Sequence, residues 1–231
     1  MSSSNFEILA YEETALGVLC LRRRELLSRP GTVVTEITLD HELLMSSYHT
    51  ASERALAVEA LSRHGGRDLS VLVGGLGLGY TANEALQSER VRRVEVIEFL
   101  PEVVNFLRKG LVPLSSELLA NPRFDVSEGD VYAILRAPVR EQWDLVLIDV
   151  DHSPDEQLGG ANQSFYTEAG LALAKQHLAP GGLLAVWSYA ESSPFVDALR
   201  QTFAAVETVP VSYVNDLVDE EHTDWLFLAR D

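Results

Sequence analysis

The chain has one cysteine, Cys20, in 231 residues. A single thiol builds neither a disulfide framework nor a thiolate metal cluster. Cations are also scarce: 18 Lys and Arg stand against 35 Asp and Glu, for a formal net charge of -17. Such a surface repels phosphate backbones, so nucleic acid is not an expected partner. Cationic molecules such as polyamines would be drawn to it, although net charge speaks first to solubility. The longest basic run, Arg22-Arg23-Arg24, is too short for a nucleic-acid face. No apolar run approaches the roughly 18 residues that span a bilayer, so no membrane contact is expected. The N-terminal stretch MSSSNFEILAYEE lacks the basic start and apolar stretch of a signal peptide, and a cytoplasmic protein is expected.

What the chain does have is glycine in one place. "VLVGGLGLGY", residues 71 to 80, runs from an apolar segment into Gly74, Gly75, Gly77 and Gly79. Packing alone does not call for four glycines in six residues. A turn that lets a ligand approach the backbone, followed by a helix N-terminus, does.

The surroundings support that reading. Apolar runs at 70–75, 94–99, 143–150 and 181–188 predict buried strands. Helical stretches separate them: "YTANEALQSE", "PEVVNFLRKG" with Pro101 in its first turn and Gly110 at its stop, and "SFYTEAGLALAKQHLAPGG". "FDVSEGD" is a further strand candidate. The alternation predicts an α/β fold, a Rossmann-like, doubly wound, mostly parallel sheet with helices on both faces. "ETVPVSYV" and "WLFLAR" near the end predict an antiparallel hairpin on the sheet edge. Residues 1–47 are richer in Val, Ile and Thr and predict a small antiparallel β-domain; 48–231 form the main domain, entered through a helix at 49–64.

Three strand ends carry the candidate ligand groups. Glu98 stands 19 residues past Gly79, the place for a carboxylate that accepts both hydroxyls of a ribose. Asp130 ends the next strand; its carboxylate with the backbone N–H of Val131 suits an adenine edge. An adenosine-type ligand is therefore expected. No Gly-Lys-Ser/Thr follows the glycines, which excludes a P-loop. The spacing Gly75-x-Gly77-x-Gly79 differs from the Gly-x-Gly-x-x-Gly of NAD-binding folds, without removing NAD from consideration.

That shorter rhythm resembles the first motif of class I S-adenosylmethionine (SAM) methyltransferases. "WDLVLIDVDHSPDEQLGGANQSFYTEAGLALAKQHLAPGGLLAVW", with "VEVIEFLPEVVNF", "NPRFDVSEGDVYAIL" and "TLDHELLMSSYHTASERAL", resembles the spermidine/spermine synthase family over nearly the whole chain. The resemblance implies a seven-stranded sheet, Glu98 on the ribose, Asp130 and Val131 on adenine, and Asp149 at the reacting centre. The family departures are Gly77 where an Asp is usual, His152 where the second acid of the loop is usual, and Met45 where a Gln is usual.

Those departures lead to the expectation of methyl transfer from SAM to a small-molecule acceptor. Genuine aminopropyl transfer from decarboxylated SAM is the alternative, and a non-catalytic adenosine-binding protein the second. Asp149 would orient or deprotonate the acceptor. His152 is either the base or an exposed loop histidine. Asp151, Tyr48 and Tyr189 are candidates for the acceptor pocket. No metal is expected. A homodimer is, because the N-terminal sheet has edges a lone chain would expose.

Overall fold

The computed structural model describes residues 6–150, 153–155, 164–215 and 220–231. It consists of two sheets and the helices that cover the larger one. The smaller sheet is an antiparallel meander of β1 (Phe6–Thr14), β2 (Gly17–Glu25), β3 (Val33–Leu39) and β4 (Glu42–Ser46), in that order. Two of the three consecutive arginines are spent here: Arg22 and Arg24 both reach Glu36, at 2.8 and 2.7 Å, on a carboxylate that is nearly fully buried.

Helix α1 (Ala51–Arg63) leads into β5 (Leu69–Gly74), whose six residues are all buried. A strand covered on both faces is apolar throughout, as the sequence "LSVLVG" nearly is. Then follow α2 (Tyr80–Gln87), β6 (Val91–Glu98), α3 (Pro101–Arg108), α4 (Ser115–Ala120), β7 (Phe124–Glu128), α5 (Val131–Arg136) and β8 (Trp143–Ile148). The chain closes with α6 (Glu168–Lys175), β9 (Leu178–Ser188), α7 (Ser193–Thr202), β10 (Ala205–Asn215) and β11 (Glu220–Arg230).

The larger sheet has seven strands in the order β10-β11-β9-β8-β5-β6-β7. β5 to β9 run parallel, and β11 inserts antiparallel between β9 and β10. The expected seven-stranded, mostly parallel α/β sheet and terminal hairpin are what the structure has. Strand order reverses at β5, whose neighbours β6 and β8 diverge on either side. Open α/β sheets bind ligands in the crevice at the carboxyl ends of such strands.

One buried cluster joins the two sheets: Leu19, Leu21 and Ile37 of the first pack with Leu56, Val71 and Leu145 of the second. The first sheet is thereby held over the carboxyl ends of the main strands. The expected helix beginning at Ser164 starts later. Phe165 and Tyr166 lie in a turn, and Thr167 caps α6 by accepting from Gly170 N at 3.2 Å. "LAPGG" joins β9, because Leu178 is already in register with Trp143.

Candidate active site

The end of β5 is anchored on both sides. Gly75 N donates to Ile97 O at 2.9 Å, and Asp149 N donates to Gly74 O at 2.9 Å. At Gly75 the backbone has φ +93°, and a Cβ there would lie 2.2 Å from the Asp149 carbonyl oxygen. Only glycine admits both the left-handed backbone and the close approach. At Gly77, φ is +53° and a Cβ would stand 3.0 Å from Met45 Sδ, so this turn touches the first sheet.

Glu98 closes β6 and is 8% exposed. Its Oε2 accepts from Leu76 N and its Oε1 from Leu100 N, both at 2.8 Å. Burial pushes its carboxyl above the ordinary range, and the backbone N–H groups of Leu100, Leu76, Gly77 and Phe99 pull against that. A carboxylate has about four acceptor positions. The bonds from Leu76 N and Leu100 N take one position on each oxygen, and the carboxylate also lines the cavity described next. Asp130 caps α5: its Oδ1 accepts from Tyr132 N at 2.8 Å and Ala133 N at 3.1 Å. Its Oδ2 lies 4.0 Å from Arg136 and is the oxygen left for an exocyclic amine.

These groups line a cavity of about 580 Å³ between the two sheets. That is the size of a small-molecule site. Asp149 follows β8 and faces the same space, with Thr81 Oγ1 donating to its Oδ2 at 2.7 Å. Two further acids arrive from distant parts of the chain. Glu53 comes from the first turn of α1 and Asp224 from β11. Each of the three carboxyls is pushed upward. Burial, then the charges of Asp149 and Asp224, raise Glu53 to about 8. Burial raises Asp149 to about 6, with Asp224 adding to it and Thr81 opposing. Burial also raises Asp224, against Ser52 and Trp187. The buried Trp187 Nε1 faces Asp224 without completing a hydrogen bond. Tyr213, at the same end, is pushed up to about 12 by burial and by Asp224 and Glu53.

No Lys or Arg lines the cavity among the described residues. Burial and the crowding of like charges both disfavour ionisation here, and no fixed cation among the lining residues offsets them. An organic ammonium entering this end would supply the missing charge.

Of the residues expected from sequence, Gly75, Gly77, Glu98, Asp130, Val131 and Asp149 are brought to this one cavity. Four others are placed elsewhere. A Cβ on Gly74 would meet Val131 and Ile148, and one on Gly79 would meet Leu118, so both serve packing beneath the turn. Tyr48 does not line the cavity; its neighbour His49 does, with Nε2 at 3.2 Å from Asn215 Oδ1. Tyr189 is 45% exposed past β9 and is likewise off the cavity wall. Asp151 and His152 lie outside the described residues. Sequence reasoning missed Glu53, Thr81 and Asp224. Each sits inside a regular helix or strand, away from the strand ends where ligand groups were sought.

No family model matches the chain. Curated relatives do. Polyamine aminopropyltransferase 2 of Streptomyces coelicolor is 34% identical over 145 residues, 62% of this chain and 24% of that protein. Polyamine aminopropyltransferase 2 of Pseudomonas aeruginosa is 31% identical over 168 residues, 68% of this chain and 46% of that protein. The chain thus spans from about a quarter to about half the length of these relatives. Among solved structures, spermidine synthase in complex with the transition-state analogue AdoDATO superposes with a TM-score of 0.74. It shares 18% identity, and the match covers 96% of this chain and 73% of that one. Spermidine synthase from Thermotoga maritima gives 0.72 at 16% identity, over 96% and 71%.

These relatives overturn the expectation of methyl transfer, since they are named for aminopropyl transfer. The error has a physical origin. Gly77, standing where the family has an Asp, removes one acid from the turn, but Glu53 and Asp224 converge beside Asp149 through the fold. In sequence and in fold, the chain belongs to the polyamine aminopropyltransferase (spermidine/spermine synthase) family, on a SAM-methyltransferase-like sheet.

Proposed function

We propose that the protein transfers an aminopropyl group from decarboxylated SAM to an amine acceptor. The observation that carries this reading is the group of three desolvated carboxyls, Glu53, Asp149 and Asp224, at the end of a nucleoside-sized cavity with no Lys or Arg among the described residues that line it. The relatives' names support it.

In this reading Glu98 accepts the ribose hydroxyls, and Asp130 with the Val131 N–H holds adenine. Glu53 and Asp224 face the ammonium of the donor's propyl chain. The neutral nitrogen of the acceptor attacks the propyl carbon next to the sulfonium. A C–N bond forms, the C–S bond breaks, and its electron pair stays on sulfur, releasing methylthioadenosine. The proton lost by the new ammonium passes to Asp149. A carboxyl with a pKa of about 6 is ionised at neutral pH and better matched to a proton than an ordinary aspartate. Alignment supplies the rest, because the sulfonium already leaves readily.

The test is methylthioadenosine release, followed by chromatography, with decarboxylated SAM and a panel of amines. Asp149→Asn should reduce turnover by at least about a hundredfold while leaving methylthioadenosine affinity nearly unchanged. Release with no amine in the panel, or full activity of the Asn variant, defeats the proposal.

A further inference from the structure

The glycine turn itself offers no carboxylate, since residues 74–79 are Gly and Leu alone. At Gly77 the Met45 sulfur stands 3.0 Å from where a Cβ would be, so the first sheet fills that space. The acids of this end come from α1 and β11 instead. One hydroxyl shows how closely they approach the reacting centre. Thr81 Oγ1 lies 2.7 Å from Asp149 Oδ2 and 3.3 Å from the carbonyl oxygen of Glu53, which sets the first turn of α1 against Asp149. Ser52, buried beside Glu53, donates to its Oε2 at 3.4 Å and also favours the ionised form of Asp224. Asp224 is 6% exposed.

The sign of this end holds for the whole chain. Residues 1–5, 151–152, 156–163 and 216–219 lie outside the described ones, and they contain no Lys or Arg. Their titratable side chains are Asp151, His152, Glu156, Asp216 and Asp219. No Lys or Arg among the described residues lines the cavity. Of the lining residues only His49 and His222 can carry positive charge, and His222 already faces Glu220 at 3.9 Å.

We infer that Glu53 and Asp224 select the donor: they accept the ammonium of a decarboxylated tail and reject the α-carboxylate of SAM. This rests on the aminopropyl transfer proposed above and adds what enforces its choice of donor. SAM and decarboxylated SAM share the adenosine and the sulfonium and differ by that one carboxylate. Contacts at Glu98 and Asp130 cannot tell them apart. At the other end the difference is decisive. A carboxylate placed there would lose its water, meet like charges, and find no Lys or Arg. The bare ammonium meets opposite charges, and its arrival favours the ionised form of Glu53. Rejection by a built-in repulsive element is a general route to specificity.

The test is calorimetry with methylthioadenosine, decarboxylated SAM and SAM, without an acceptor, so that the outcome does not depend on turnover. The wild type should bind decarboxylated SAM at least about a hundredfold more tightly than SAM. Glu53→Gln with Asp224→Asn should shrink that ratio by at least about tenfold, with methylthioadenosine affinity nearly unchanged. Methylthioadenosine carries neither ammonium nor carboxylate, so its binding reports the fold and the nucleoside end. If the double variant fails to bind it, the two single variants are compared instead, and each should shrink the ratio. Equal binding of SAM and decarboxylated SAM by the wild type would overturn the inference. So would a ratio that survives the substitutions in folded protein. Selective binding without transfer to any amine would uphold this selection while defeating the proposed activity.

Discussion

Thr81 Oγ1 donates to Asp149 Oδ2 at 2.7 Å, from the first turn of the helix that follows the glycine turn. This bond favours the ionised carboxylate and opposes the burial that raises it. A hydrogen bond to a charged group is worth about 1.5–3 kcal/mol, and one pKa unit is about 1.4 kcal/mol. Thr81→Val should therefore move the acidic limb of kcat/KM, set near 6 by Asp149, upward by about one unit. Thr81→Ser should leave it in place. A pH–rate profile decides; a limb that ignores both variants would mean that Asp149 is not the titrating base.

Glu53 makes stability depend on pH in a direction opposite to that of a salt-bridged acid. Its native pKa of about 8 lies above the ordinary glutamate value of 4.5. Between those values the native state keeps a proton that the unfolded chain has released. Stability therefore falls as pH rises through this window and levels off above it. Glu53→Gln removes the ionisation and should raise the Tm at pH above about 8 by roughly 2–4 °C for each kcal/mol recovered. Near pH 5 the two proteins should melt together. Thermal unfolding across pH checks this, and a parallel offset at every pH would point to packing instead.

Glu98 bears on nucleoside binding. Both of its oxygens also hold backbone N–H groups, so Glu98→Ala would leave Leu76 N and Leu100 N without their acceptor. Glu98→Gln is the gentler variant, since it keeps the shape and one carbonyl oxygen. Either should weaken methylthioadenosine by at least about tenfold, the equivalent of one lost charged hydrogen bond. Isothermal titration of the folded variants measures it, and unchanged affinity removes Glu98 from the ribose.

The assembly is also open to test. β1 is the edge strand of the smaller sheet, and Phe6, Ile8 and Tyr11 on it are 48%, 54% and 56% exposed. Sheet edges with exposed apolar side chains invite a second chain. We propose a homodimer through this sheet, with a mass twice 25.5 kDa by light scattering at micromolar concentration. A monomer under those conditions counts against it.

How much of this was legible in the sequence depends on the range over which each feature is encoded. Apolar runs and their punctuation are local, so β5, β6, β8 and the closing hairpin could be read from periodicity and breakers. The glycines, Glu98 and Asp130 were legible for a related reason: in a doubly wound sheet each lies at the end of a strand, and sequence order maps directly onto the crevice. Asp149 follows the same rule. The start of α6 did not, because Thr167 caps the helix after an aromatic pair that itself looks helical.

The acidic end of the cavity was decided by tertiary structure alone. Glu53 sits in the first turn of α1, and Asp224 sits in a strand that crosses back between two others. They lie far apart in sequence, yet Asp224 raises the pKa of both Glu53 and Asp149 once folding brings the three together and expels water. Local patterning determined that this chain forms a parallel sheet with a glycine-lined cleft at its strand ends. Burial and long-range proximity, which no window of sequence contains, decided which carboxyls that cleft gathers and how far their pKa values rise.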